Sequence, residues 1–330
     1  MRRARRARGL RSDAPPRTIH AMAILVMTAP LPAAQYVDPL RAIAGDVPVW
    51  RPDDAFDPAA VEAILAWRLK PGVLAAYPNL RVLCAVAAGV DKLLRAGDIA
   101  PHVPVTRVVD PYQCQQLAQY VVAVALRHTR ELPRYAQQQA HAHWERHRPR
   151  PAARCRVGVL GLGSVGQAIA SAFLPLGYPV AGWSRRPREL PGITTHSGAV
   201  GLTALLRDSD LLACALPLTA STRGLLRRET LSQLPPGAYV INVGRGETLN
   251  EVDLRALLDE GHLAGAALDV FEREPPSADN WVWSHPRVLA TPHIAGEVSR
   301  AVVAQQTLEA LQLARAGRPQ PRAVDRAAGY

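Results

Sequence analysis

The sequence predicts an α/β fold built from two parallel-sheet units, and three observations predict it. Short apolar runs alternate with helix-period segments along nearly the whole chain, the pattern of βαβ units. The alternation occurs twice, once in the first third and again from Arg156, with a long helical pattern between the two series. A length of 330 residues is more than one ordinary domain needs and suits two.

Each element has its own signal. In the first series the apolar runs at 23–27, 47–50, 63–67 and 80–86 are candidate strands, with helices at 38–43 and after Asp91. A helical pattern then covers 112–139, where Leu117, Tyr120, Val121, Val124, Ala125 and Leu132 form an apolar stripe. Pro133 is predicted to break it. The polar stretch 141–154 is a connector. Second-series strands are predicted at 157–160, 180–183, 211–216, 238–243, 265–268 and 288–290, with helices near 165–173, 202–206 and 251–260. A last helix over 298–316 stops at Gly317, with Pro319 beyond it, and 318–330 is a tail.

Charge and composition narrow the function classes. Of the net charge of +11, residues 1–20 carry +6, from seven arginines against Asp13 alone. They are expected to form a disordered basic arm, with Met22 as an alternative start, and the rest of the chain is only mildly basic. Lys70 and Lys92 are the sole lysines among 39 basic residues, a skew toward Arg that fits codon bias better than selection for nucleic acid. With 5% aromatics the chain lacks a base-stacking platform, so no nucleic-acid partner is expected. No run of 18 apolar residues occurs, so no membrane span is expected. The arginines followed by an apolar run and Pro32-Ala33-Ala34 loosely resemble an export signal, but the later motifs require a strand at 23–27. Cys84, Cys114, Cys155 and Cys214 have neither metal-ligand nor disulfide-framework spacing, which fits reduced thiols in a cytoplasmic protein and no bound metal.

The strongest motif runs from Val157 to Gln167. A strand leads into Gly161-Leu162-Gly163-Ser164-Val165-Gly166 and on into a helix. Gly161 permits the tight turn, Gly163 lets backbone approach a pyrophosphate, and Gly166 allows helix and strand to pack closely. The helix N-terminus then offers unpaired N–H groups to the phosphates. A bare fingerprint of this kind could be a glycine turn with no ligand, but between a strand and a helix it is expected to bind a dinucleotide. The following strand ends Trp183-Ser184-Arg185-Arg186 and lacks the carboxylate that would take a ribose 2′-hydroxyl. Ser184 with the guanidiniums of Arg185 and Arg186 suits a 2′-phosphate, so NADPH is the expected cofactor and NADH the alternative.

Three polar groups follow later candidate strands, where open α/β sheets place their ligands. They are Arg245 in Gly244-Arg245-Gly246, Glu274 in Glu274-Pro275, and His293 in Thr291-Pro292-His293. Singly, each has a bland alternative as a surface or loop charge. Together behind a dinucleotide cradle they suit reduction of a 2-oxo acid. A guanidinium fork matches a substrate carboxylate, and histidine, with an ordinary pKa near neutrality, can protonate an emerging alkoxide. A neighbouring Glu274 would favour imidazolium and orient the ring. Asp269 is a candidate anchor for a nicotinamide carboxamide.

These segments, with Ala87-Ala88-Gly89-Val90-Asp91, Gly182-Trp183-Ser184-Arg185, Asp269-Val270-Phe271 and the ending Val324-Asp325-Arg326-Ala327-Ala328-Gly329-Tyr330, resemble the D-isomer-specific 2-hydroxyacid dehydrogenase family over roughly 22–330. The ending is similar to its glyoxylate/hydroxypyruvate reductase A-like branch. The resemblance implies two Rossmann-like domains, one flavodoxin-like and one dinucleotide-binding, with the active site in the cleft between them. It divides the chain into a substrate domain of 21–106 with 297–330 and an inserted cofactor domain of 107–296. Arg245, Glu274 and His293 become the catalytic set, and backbone N–H groups around Ala88, Gly89 and Val90 hold the substrate carboxylate. Leu216, Pro217, Thr222, Val243 and Gly296 join His293 and Asp269 along the cofactor. The expected substrates are small 2-oxo or 2-hydroxy acids such as glyoxylate and hydroxypyruvate. A homodimer through the helix beginning near Tyr112 is also implied. Trp144, on the connector, then either reaches a neighbouring cleft or packs on its own domain. Two departures stand out: Ala87 replaces the usual glycine before Ala88, and Asn242-Val243-Gly244 replaces commoner residues before the arginine. A dinucleotide-sensing, corepressor-like regulator is the alternative on the same fold, as is a relative with a different substrate; no appended peptide-binding segment is visible.

Overall fold

The structure is a computed structural model and describes residues 23–95 and 97–330. The basic arm expected over 1–20 lies outside the described residues.

Two parallel sheets carry the chain. The first contains β1 (Ala23–Met27), β2 (Val49–Trp50), β3 (Val61–Ala66), β4 (Val82–Ala85) and β5 (Val105–Thr106) in the order β2-β1-β3-β4-β5. The second contains β6 (Val157–Leu160), β7 (Val180–Ser184), β8 (Thr194–Ser197), β9 (Leu211–Cys214), β10 (Ala238–Asn242), β11 (Leu263–Leu268) and β12 (Val288–Ala290). Its order is β12-β11-β10-β9-β6-β7-β8. These are the flavodoxin-like and dinucleotide-binding versions of the doubly wound sheet. In the second, the strand order reverses between β6 and β9, where a crevice opens beyond the carboxyl ends.

Helices cover both faces of each sheet. They are α1 (Ala34–Ile43), α2 (Asp91–Leu94), α3 (Pro111–Thr129), α4 (Leu132–Ala140), α5 (Ser164–Phe173), α6 (Gly198–Arg207), α7 (Arg228–Leu231), α8 (Glu251–Asp259) and α9 (Arg300–Arg315). Alternation along each strand divides the core. Val157, Val159, Leu211 and Ala213 pack with Val121, Ile169 and Phe173 of α3 and α5. Leu160, Leu212 and Cys214 face the opposite way, onto Leu205 and Leu257 of α6 and α8. A strand buried on both faces reads as one apolar run, which is why these were visible in the sequence. In the first sheet, α1 and α9 cover one face, so the end of the chain completes the core begun by its start.

The crossing between the two units is pinned by Asp110. Its Oδ1 caps α3 by accepting from Tyr112 N–H at 2.9 Å, with Pro111 at the first helical position, where its missing N–H does no harm. Its Oδ2 accepts from Ser299 N–H at 2.9 Å, on the segment returning to the first unit. One buried carboxylate therefore joins the outgoing and returning chains.

Several expectations shift. The long helix over 112–139 is two helices, broken at Arg130–Glu131 rather than at Pro133. Glu131 has φ 51°, and Pro133 sits harmlessly in the first turn of α4. Three short elements carry no sequence signal: two-residue β5, polar edge strand β8, and single-turn α7. The last helix starts at Arg300 rather than 298. Cys84, Cys155 and Cys214 are buried, Cys114 is half-buried, and all four are free thiols. Trp144 is 91% exposed, so among the described residues it is not packed on its own domain. Among the described residues no helix is long and apolar enough to cross a membrane.

Candidate active site

The loops leaving the carboxyl ends of both sheets enclose a cavity of about 580 Å³. Every site residue singled out in the sequence lines it except Glu274, which stands behind His293.

The cradle is built by three glycines with different duties. Gly161 follows β6 at φ 95°, a conformation that strains any residue with a Cβ. A Cβ on Gly166 would overlap the Gly161 carbonyl, so the start of α5 and the turn touch backbone to backbone. A Cβ on Gly163 would meet nothing within 4 Å, which leaves open space directly before the helix N-terminus. The pyrophosphate of a dinucleotide fits that space and those N–H groups. Thr222 shapes the opposite lip by donating its hydroxyl to Pro217 O and accepting from Thr219 N–H at 2.8 Å. Gly296 closes the far end, where a Cβ would lie 2.7 Å from Leu117 on α3.

At the end of β7, Ser184, Arg185, Arg186 and Arg188 line the cavity. The Ser184 hydroxyl donates to Arg186 O at 2.7 Å and folds the loop, so in this state its proton is already engaged. Among the described residues the three guanidiniums form no ion pair or hydrogen bond. Their charge is directed at solvent and the cavity.

Arg245 follows β10 and reaches across to the first unit. Its Nε donates to Asp91 Oδ1 at 2.9 Å, and its Nη1 donates to Gly244 O at 2.8 Å. Nη2 lies against Gly89, where a Cβ would overlap the guanidinium. The N–H groups of Ala88, Gly89 and Val90 have no hydrogen-bond partner among the described residues. Three free backbone donors and a guanidinium edge thus share one corner, which suits a carboxylate. A second ion pair, Arg95 with Glu247 at 3.1 Å, also spans the cleft.

His293 sits in the loop after β12 with φ 56°, an unusual conformation for a residue with a side chain. The loop that imposes it is held by buried Asp269. Oδ1 accepts from Thr291 Oγ1 at 2.7 Å and Ile294 N–H at 2.8 Å, and Oδ2 accepts from Ala295 N–H at 2.9 Å. Tyr120 of α3 donates to Thr291 Oγ1 at 2.7 Å and extends the chain. The sequence suggested Asp269 as a carboxamide anchor; it borders the cavity, but both oxygens already secure this loop.

His293 Nδ1 lies 3.0 Å from Glu274 Oε2, leaving Nε2 for the cavity. Burial alone would raise the Glu274 carboxyl. The hydrogen bond and charge of His293 outweigh that, with help from the Phe271 N–H and Lys92, and hold it below its ordinary value. Asp91, Tyr120 and Thr291 had no assigned role in the sequence reading. Asp91 was signalled by its place beside the Ala88–Val90 loop, whereas Tyr120 looked like one more member of an apolar stripe.

Known proteins resemble this chain in sequence and fold. Residues 122–295 match the family model "D-isomer specific 2-hydroxyacid dehydrogenase, NAD binding domain". A glyoxylate/hydroxypyruvate reductase A from Yersinia enterocolitica is 35% identical over 295 residues, 88% of this chain and 93% of its own. A D-isomer specific 2-hydroxyacid dehydrogenase from Xanthobacter autotrophicus, crystallised with NADPH and MES, is 37% identical. It superposes with a TM-score of 0.89 over 94% of this chain and all of its own. An NADPH-dependent glyoxylate/hydroxypyruvate reductase from Sinorhizobium meliloti, with NADP and sulfate, is 30% identical with a TM-score of 0.87, covering 93% and 99%. The chain belongs to the D-isomer specific 2-hydroxyacid dehydrogenase family.

Proposed function

We propose that this protein reduces small 2-oxo acids, glyoxylate and hydroxypyruvate among them, to 2-hydroxy acids with NADPH. The observation that carries the proposal is the His293–Glu274 pair and Arg245 opening onto the same cavity as the glycine cradle. The names of the Yersinia and Sinorhizobium relatives support the substrate class, and the NADPH or NADP in two neighbours supports the cofactor. When bound, the nicotinamide supplies the hydride.

The chain's own residues do the rest. Arg245 and the Ala88–Val90 N–H groups bind and orient the substrate carboxylate. His293 Nε2 faces the carbonyl oxygen and delivers the proton that the reduced product retains. Glu274, held ionised, accepts from Nδ1 and fixes the ring so that Nε2 is the atom presented to the substrate. Arg185, Arg186 and Ser184 take the ribose 2′-phosphate. On this reading 21–106 with 297–330 form the substrate domain and 107–296 the cofactor domain. The protein works as a cytoplasmic homodimer through α3, with exposed Trp144 turned toward the neighbouring subunit.

The test follows NADPH oxidation with glyoxylate and hydroxypyruvate for wild type, His293→Ala and Arg245→Ala. His293→Ala is expected to lose about 10²- to 10⁴-fold in kcat. Arg245→Ala is expected to raise KM for the oxo acid steeply. Undiminished turnover in either variant removes that residue from its role.

A further inference from the structure

We infer that the segment Asp325–Tyr330 is a specificity-determining wall of the cofactor pocket, in which Tyr330 positions Arg185 to chelate a phosphate on the adenosine ribose. The inference deepens the NADPH reading above and rests on it.

The segment belongs to the first unit by its anchors. Past Gly317, the chain returns along the edge of the first sheet. Arg107 N–H donates to Arg322 O at 3.1 Å, and Val324 N–H donates to Val105 O at 2.8 Å. Thr106 and Ala323 form an antiparallel bridge, so this segment pairs with the otherwise open edge of β5. Val324 is buried in the first-unit core, and the Arg326 guanidinium donates to the carbonyls of Ile99 and Ala100. These contacts fix one end of a strap.

Its other end belongs to the second unit's pocket. Asp325, Ala328, Gly329 and Tyr330 line the cavity together with the glycine cradle and the arginine loop. A compact turn aims them there. Ala328 N–H donates to Asp325 Oδ1 at 3.0 Å, and Gly329 N–H donates to Asp325 O at 2.9 Å. Gly329 has φ 82°, which a side chain would resist, and a Cβ there would touch Thr219 of the loop after β9. The turn delivers the Tyr330 ring to 5.2 Å from Arg185 Cζ, with the cation over the ring face.

That contact suits phosphate recognition for a specific reason. Arg185 is solvent-exposed and has no hydrogen bond or ion pair among the described residues, so its long side chain has little else to restrain it. A cation–π contact restrains the guanidinium through its charge and uses none of its five N–H donors. The donors stay available for bidentate capture of a phosphate, and less conformational freedom is lost on binding. Arg186 and Arg188 on the same loop have no aromatic partner among the described residues, so the positioning singles out Arg185.

The experiment is calorimetric binding of 2′,5′-ADP and of 5′-AMP to the whole protein, as wild type, Tyr330→Ala, Tyr330→Phe, Arg185→Ala and the Arg185→Ala/Tyr330→Ala pair. Wild type is expected to prefer 2′,5′-ADP. Tyr330→Ala weakens 2′,5′-ADP by about two- to fivefold and leaves 5′-AMP unchanged. Tyr330→Phe keeps the ring face and restores wild-type affinity. In the Arg185→Ala background, Tyr330→Ala has no further effect. Equal weakening of both ligands, no weakening of either, or a full effect without Arg185 overturns the role of Tyr330 while leaving the NADPH reading intact. A wild type that binds the two ligands equally overturns the NADPH reading itself, and this inference with it.

Discussion

The Nδ1 of His293 and the Oε2 of Glu274 meet at 3.0 Å, across 19 residues of chain. The pair fixes the ring's tautomer and direction together, because an ionised carboxylate can only accept. Burial opposes ionisation of Glu274, but its partners hold its pKa below the ordinary value. A carboxyl depressed in this way stabilises the fold fully above its unfolded pKa and loses that contribution as pH falls through the folded one. Glu274→Gln is therefore expected to lower stability by about 1 kcal/mol at pH 7. Its Tm should converge on that of wild type below the ordinary carboxylate range. Thermal melts across pH check this, and a gap that widens in acid refutes it. Activity at pH 7 should fall by about 10²-fold.

Gly89 is required by Arg245 rather than by its own backbone. A Cβ at Gly89 would overlap the guanidinium, whose Nε and Nη1 are already committed to Asp91 and Gly244. Gly89→Ala should push Nη2 off the carboxylate corner and cost about 10²-fold in kcat/KM, the scale of an ångström-sized misplacement. Asp91→Asn should have a milder effect of the same kind, because Nε keeps an acceptor but loses its charge partner. Cofactor affinity is expected to stay at wild-type level in both, which fluorescence titration with NADPH measures.

Asp269 predicts a different failure. Its two oxygens accept three hydrogen bonds that shape the 291–296 loop, and an Asn amide would face at least one N–H or O–H with a donor. Asp269→Asn should destabilise the protein by about 1–3 kcal/mol and lower kcat by releasing His293 from its φ of 56°. Hydrogen exchange should show faster opening confined to 291–296. Unchanged exchange there would mean that the loop is held by other contacts.

How much of this was legible in the sequence depended on what each residue touches. Strands such as β6 and β9 were readable because burial on both faces leaves a continuous apolar run. The cradle was readable because its three glycines answer to local backbone demands at fixed spacing. β8 was not, because an edge strand of Thr, Thr, His and Ser carries no apolar signal. The break after α3 was misplaced because Pro133 is the visible breaker, yet the turn is made by Glu131 with φ 51°. At the site, Arg245, Glu274 and His293 each follow a strand, and it was their joint arrangement behind the glycine cradle, not any one of them, that could be read. The Asp91–Arg245 bond joins residues 154 positions apart, one opening α2 and one in the loop after β10, and only the folded cleft brings them together.

The arginine loop after β7 gives the last prediction. The Ser184 hydroxyl donates to Arg186 O, and the guanidiniums of Arg185, Arg186 and Arg188 carry no counter-ion among the described residues. A carboxylate at position 184 would pair with those guanidiniums and repel a 2′-phosphate, while offering an acceptor to a free 2′-hydroxyl. Ser184→Asp should therefore raise KM for NADPH roughly tenfold or more and lower KM for NADH, with kcat little changed. Because the repulsion acts on the phosphate alone, raising the salt concentration should narrow the difference for NADPH and leave NADH nearly unmoved. Initial rates with both cofactors at two ionic strengths check this. An unchanged preference would move 2′-phosphate recognition away from this loop.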